Sequence, residues 1–184
     1  MQFHPTAFRD AWLVKLEPIH DGRGYFARTF CIEEFAAHGL ETYYPQHSIS
    51  FSARKGTLRG MHYQCHPHCE AKLVRCLGGK IWDVITDIRP GSPTYCHCQG
   101  FDLSQANGCQ LYIPKGFAHG LQTLSDDVAV SYLISTPYVS EAARGIRYND
   151  PSLAITWPLP VSEISAKDIE WPDFVRDGPV LPVR

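Results

Sequence analysis

The chain has 184 residues, 44% of them hydrophobic and 20% charged, which is enough apolar content to bury a core and too much for a disordered chain. Seventeen basic against nineteen acidic residues leave a formal charge of −2, which argues against a general nucleic-acid binder. Its apolar runs are too short to span a membrane, the start MQFHPTAFRDAW lacks a signal-peptide core, and seven unevenly spaced cysteines read as the reduced thiols of a cytosolic protein. In chain order, the first predicted element is a short helix at IEEFAAH (32–38), closed by Gly39. LVRCL–GG–KIWDVITDIR then reads as two strands joined by a turn at Gly78 and Gly79, both glycines able to take positive φ. Arg89-Pro90-Gly91-Ser92-Pro93 stops the second strand. CQLYIP, GLQTL and VAVSYLIS add three more, with Ser125-Asp126-Asp127 as the turn between the last two. Prolines at 151, 158, 160, 172, 179 and 182 predict an irregular C-terminal extension from about 151 that wraps the rest. Short strands at this spacing predict one all-β domain over 1–184, an antiparallel sandwich or barrel of the jelly-roll kind with a few short helices.

Several chemistries lack their motifs. There is no GxGxxG after a strand, no GxxxxGK[ST], no GxSxG and no HExxH. What stands out is a concentration of His, Arg, Lys and Tyr on the predicted strands. GTLRGMHYQ (56–64) and GCQLYIPKGFAHG (108–120) resemble the two motifs of the cupin jelly roll. Gly108, Pro114, Gly116 and His119 fall at the cupin spacing, as do Gly56 and His62. Gln64, however, stands where a metal-binding cupin has its second histidine, and Glu70 falls late for the carboxylate, so the frame is kept and the ligand set lost.

DGRGYFARTF (21–30), EAKLVRCLGGKIWDVITDIRPGSPTY (70–95), LYIPKGFAHGLQTLSDD (111–127), RGIRYNDP (144–151) and ISAKD (164–168), together with GTLRGMHYQ, carry the resemblance further. In their order and spread, from about Phe3 to Pro172, they resemble the dTDP-4-dehydrorhamnose 3,5-epimerase family. The resemblance implies epimerisation of a nucleotide-diphosphate 4-keto-6-deoxy sugar. The ketone acidifies C3 and C5, so the reaction needs a base on one face, an acid on the other and a donor near the ketone oxygen, with no metal or redox cofactor.

By that resemblance His62 is the general base, an imidazole that titrates at about 6.5 when unperturbed and so can accept a proton near neutrality. Asp168 is the carboxylate that pairs with it, although Ser165-x-x-Asp168 also reads as a helix cap. Tyr132 is the proton donor and Lys72 holds charge on the enolate oxygen; taken alone, the first reads as strand packing and the second as a solvated lysine. Arg23 and Arg59 match diphosphate contacts, suited by the planar guanidinium fork, while Gln46, Ser48, His119, Tyr138 and Lys167 occupy further ligand-contact positions.

Two positions depart from the family pattern. Relatives often carry an asparagine where this chain has Ser48, and many carry a glutamate where it has Ala143. Both changes fall in the recognition shell, which opens readings in which only C3 or C5 inverts, or in which the fold binds a nucleotide sugar without turnover. Cys65-His66-Pro67-His68-Cys69 is a ligand-rich tract that leaves a metal-dependent cupin as a further alternative. The resemblance also implies a homodimer with strands shared across the interface and Arg23 reaching the partner's site. The aromatic N-terminal segment (Phe3, Phe8, Trp12) is compatible with that sharing.

Overall fold

The structure, a computed structural model, describes residues 1–175. One sheet has the order β1 (Gln2–Pro5), β2 (Trp12–Lys15), β10 (Cys109–Ile113), β7 (Lys72–Gly78), β12 (Val128–Ile134) and β5 (Gln46–Ser52). A second runs β13 (Ala143–Gly145), β6 (Leu58–Gln64), β11 (Phe117–Thr123), β8 (Lys80–Asp87) and β9 (Cys98–Ser104). A small hairpin pairs β3 (Ile19–Asp21) with β4 (Gly24–Phe26), and the helices are α1 (Ile32–Ala37) and α2 (Ala166–Ile169).

All strand pairs within the two sheets are antiparallel, and side chains alternate between faces along each strand. Val74 and Cys76 of β7, Leu111 and Ile113 of β10 and Val130 of β12 therefore meet Ile81, Ile85, Phe101 and Leu121 of the opposing sheet in one buried cluster. Continuing along the same alternation, the positions turn polar: Lys72 on β7, Tyr132 on β12, His62 and Gln64 on β6, His119 on β11. This all-β sandwich thus has an apolar interior with a polar end.

The runs on either side of Gly78-Gly79 do form strands, β7 and β8, but they do not pair as a hairpin: each belongs to a different sheet. Only Gly79 takes positive φ (78°), and it turns a corner between the sheets. Both runs carry apolar residues at alternate positions, and these bury more fully facing one another across the sandwich than side by side in one sheet. The turn at Ser125-Asp126-Asp127 is a second such corner, carrying the chain from β11 to β12.

The helix after residue 31 is present, ending at His38 with Gly39 at φ 68°. It buries Phe35 against the outer face of the six-stranded sheet. Phe3 and Trp12 pack here within the chain: the Phe3 ring stacks on His38 at 3.9 Å and meets Phe35 edge-on at 5.4 Å. Phe8 is in the central core against Phe117. From residue 151 to 175 the chain is irregular apart from α2, and Ile155, Trp157 and Phe174 cover Met61, Val84 and Ile146 on the outer face of the five-stranded sheet. Pro179 and Pro182 lie outside the described residues. Among the described residues no helix is long and apolar enough to cross a membrane.

Candidate active site

His62 sits near the end of β6, paired with Gly145 of β13 on one side and His119 of β11 on the other. β13 stops at Gly145, and the C-terminal segment takes over the exposed edge of β6. Glu163 bridges to Thr57, its carbonyl accepts the Leu58 N–H at 2.8 Å, and α2 follows. Ser165 caps α2 by accepting the Asp168 N–H at 3.1 Å. The cap and the His-paired carboxylate are thus both features of this turn: Asp168 Oδ1 accepts from His62 Nε2 at 2.6 Å, and Oδ2 accepts the Gly60 N–H at 3.2 Å. Burial works to raise the Asp168 pKa, but the His62 contact and the Gly60 N–H outweigh it and hold the carboxyl below its ordinary value. With Nε2 committed to Asp168, Nδ1 is the imidazole nitrogen left to take a proton.

A cavity of about 550 Å³ opens beside this pair, lined among others by Ser48, Arg59, His62, Tyr132 and Asp168. Tyr132 enters it from the opposing sheet. Its Oη lies 3.1 Å from Ser50 Oγ, and Ser48, Ser50 and Tyr132 share one face because β5 and β12 pair Ser48 with Tyr132 and Ser50 with Val130. Burial pushes the phenol up to about 12; the Ser50 hydroxyl opposes the rise and the nearby Asp83 carboxylate adds to it. Arg59 donates to Ser52 Oγ at 3.0 Å and to the Phe51 carbonyl at 2.8 Å, bracing β6 against the edge strand β5.

Two further polar groups, each centred on a sequence-predicted residue, do not line this cavity. His119 Nε2 meets Asp83 Oδ1 at 2.7 Å, both residues buried, and the His119 ring contacts Tyr132 edge-on at 6.2 Å. Lys72 is not a solvated strand lysine. It is buried, with Nζ 2.8 Å from Glu70 Oε1, while Glu70 Oε2 accepts from Gln64 Nε2 at 2.7 Å. Gln64, which replaces a cupin ligand histidine, and Glu70, which falls late for the carboxylate, here form the setting of the lysine.

The other sequence-predicted residues lie apart. Arg23 is on the β3–β4 turn, with its side chain 91% exposed and paired with Asp21 at 2.6 Å. Gln46 turns its Oε1 to the Tyr138 backbone N–H at 2.6 Å, and the Tyr138 side chain is exposed. Lys167 reaches over the Trp171 ring, 5.3 Å from its centroid. Ala143 sits opposite Gln64 on β13. Among the described residues no group of three or more His, Cys, Asp or Glu is placed to hold a metal ion, the 65–69 tract included. Sequence reasoning missed Ser50, Asp83 and Trp171. Period-two spacing from Ser48 would have flagged Ser50; Asp83 and Trp171 gave no local signal.

A family model described as dTDP-4-dehydrorhamnose 3,5-epimerase matches residues 5–176. The dTDP-4-dehydrorhamnose 3,5-epimerase of Sinorhizobium fredii is 39% identical over 95% of this chain and 90% of its own length. Among solved structures, the dTDP-6-deoxy-D-glucose-3,5-epimerase of Legionella pneumophila in complex with dTDP-4-keto-L-rhamnose superposes with a TM-score of 0.91 at 36% identity, covering 98% of this chain and 97% of that one. The dTDP-4-dehydrorhamnose 3-epimerase of Streptomyces niveus is 34% identical over 91% of this chain and 81% of its own. A polar-ended sandwich with a His–Asp pair facing a phenol across a cleft, and a match over nearly the whole sequence, place this chain in the dTDP-4-dehydrorhamnose 3,5-epimerase family.

Proposed function

We propose that the protein converts dTDP-4-dehydro-6-deoxy-D-glucose to dTDP-4-dehydro-L-rhamnose by removing and returning protons at C3 and C5, beside the C4 ketone. One observation carries this reading: His62 and Tyr132 line the same cavity from opposing sheets. A sugar ring held between them presents one face to a base and the other to an acid.

In this reading His62 Nδ1 accepts the C–H proton, and the electron pair left on carbon delocalises onto the C4 oxygen as an enolate. Asp168, held ionised, fixes the imidazole through Nε2 and stabilises the imidazolium. Tyr132, protonated at neutral pH, delivers a proton to the opposite face and so inverts the carbon. Lys72 supplies positive charge for the enolate oxygen, with Glu70 holding it in place. Arg59 takes the diphosphate and Ser48 forms part of the ligand wall, while His119 backs Tyr132 and Gln46 holds the Tyr138 backbone.

Arg23 does not line its own chain's cavity, and the hairpin that carries it exposes Ile19 and Phe26 at over 70%. Ile49 and Phe51 on the edge strand β5 are exposed as well. A homodimer covers this surface and brings Arg23 to the partner's cavity as a second diphosphate contact. The chain then acts as one epimerase domain, its irregular segment from about 151 delivering Asp168. Seven free cysteines fit a cytoplasmic setting.

The testing experiment is incubation with dTDP-4-keto-6-deoxyglucose in deuterated water, followed by NMR. Label at both C3 and C5 is the expected result. The relative named as a 3-epimerase and the Ser48 and Ala143 departures favour one second reading, inversion at C3 alone, which label at C3 only would establish. No label at either carbon would reject this substrate.

A further inference from the structure

We infer that Trp171 is a positioning residue for the His62–Asp168 pair, its indole N–H sharing the carboxylate oxygen that holds the imidazole; this rests on the reading of His62 as the base. Trp171 follows α2 by two residues, and its Nε1 donates to Asp168 Oδ1 at 3.3 Å. His62 Nε2 meets that same atom at 2.6 Å. Two donors therefore converge on one oxygen while the Gly60 N–H occupies the other.

The indole is held there from the far side of the strand ladder. A Cβ on Gly145 would lie 2.3 Å from Trp171 Cε2 and Nε1, so the ring rests directly on the Gly145 backbone. Gly145 is the register partner of His62 on β13. The residue that carries the base thus pairs with the residue that seats the indole, and the indole returns to the carboxylate of the base. The next residue is fastened too: the Pro172 carbonyl accepts the Arg147 N–H at 3.2 Å, and Arg147 pairs with Asp173 at 2.5 Å. Lys167 Nζ, over the Trp171 ring at 5.3 Å from its centroid, ties the α2 lysine to the same platform.

The chemical consequence follows from sharing. A carboxylate oxygen that accepts a second N–H carries less negative charge toward the first donor, so it stabilises an imidazolium less. Trp171 thereby limits the grip of Asp168 on the imidazole while fixing the carboxylate plane. The other titratable groups facing His62 are Arg59 on its own strand, Tyr132 from the opposing sheet, Glu163 ahead of α2, and His119 across the ladder, backed by Asp83. Lys167 faces the pair through the indole. Replacing the indole by a phenyl ring changes none of these side chains.

Trp171→Phe is the test, because it keeps an aromatic side chain beside Gly145 while removing the N–H together with the fused ring. The expected result is an acid limb of the kcat/KM–pH profile displaced upward by about half a unit, a kcat lowered about three- to tenfold, and KM within about twofold of the parent. The His62 ring titration, followed by NMR in the ligand-free protein, should move upward in step. Gly145→Ala, which pushes the ring off its seat without altering it, should move the titration in the same direction. An unmoved titration in both variants, while Asp168→Asn does move it, overturns the role of Trp171 and leaves the base assignment standing. If the wild type exchanges no substrate proton, the NMR titration alone still decides for or against Trp171.

Discussion

His62 and His119 face each other across one rung of the five-stranded sheet, and each pairs with an aspartate through Nε2 at nearly the same distance, 2.6 and 2.7 Å. The pairs differ in where the carboxylate comes from and in what surrounds it. Asp83 is on β8, next to β11 in the sheet, and its pair with His119 is closed: side-chain exposures are 7% and 0%. Asp168 arrives from outside the sheet on α2, and its partner's side chain stays 45% exposed to the cleft. Asp168 also has more donors, from His62, Gly60 and Trp171, whereas Asp83 Oδ2 has no hydrogen-bond partner among the described residues. The same two residue types thus serve opposite ends. Pinned between strands, the pair braces the sheet beneath Tyr132. Assembled at an edge beside a cavity, the other pair leaves its imidazole open to the cleft, as the proposed base requires.

Crossing the two pairs by mutation should separate these uses. His62→Ala is expected to lower turnover and solvent exchange at both carbons by about 10³-fold, within the range for losing a general base, while costing about 1–2 kcal/mol of stability, since Asp168 keeps the Gly60 and Trp171 N–H groups. NMR exchange and urea unfolding measure the two. His119→Phe should do the reverse in stability, leaving Asp83 buried and unpaired at a cost of about 3–5 kcal/mol. Equal stability losses in both variants would erase the distinction between a bracing and a reacting pair.

Tyr132→Phe sharpens the comparison at its meeting point, since Tyr132 touches the His119 ring and opens on the cavity that His62 lines. In the proposed mechanism, proton removal by His62 does not need the phenol, but return to the other face does. The variant should retain measurable deuterium uptake and lose inverted product by about 10- to 100-fold. Parallel loss of uptake and inversion would show that Tyr132 acts before the proton leaves.

The two pairs were unequally legible in the sequence. His62 and His119 fall at fixed positions in motifs, but their partners are read only through the fold. Asp168 lies 106 residues from His62, and its Ser165-x-x-Asp168 pattern is explained equally well by the cap that it also forms. Asp83, inside a run of Val, Ile and Trp, is one more inward position of a strand, and nothing local marks it as a partner for residue 119. Strands such as β8 and β12 announce themselves by β-branched content, whereas β5, QHSISFS, is read poorly because its inward face is Gln and Ser, with Ser48 and Ser50 lining a cavity. The Gly78-Gly79 corner shows the same limit. Two glycines specify that the chain turns, and only the burial of both flanking strands specifies that it turns between sheets.

The smallest expected effect tests whether the cleft-side carboxylate is held by charge. Because the Asp168 pKa is lower folded than unfolded, unfolding takes up a proton in acid. The stability it contributes is complete above the ordinary carboxylate value of about 3.9 and is lost as pH falls through the folded value. Asp168→Asn should therefore cost about 1.5 kcal/mol at neutral pH, the lower end for hydrogen bonds to a charged group. The gap from wild type should narrow as urea unfolding is repeated from about pH 6 down to pH 3. A constant gap across that range would mean that the carboxylate serves only as a neutral-shaped acceptor. It would also remove the electrostatic difference between Asp168 and an asparagine, and with it the reason why an edge-assembled pair should favour an imidazolium.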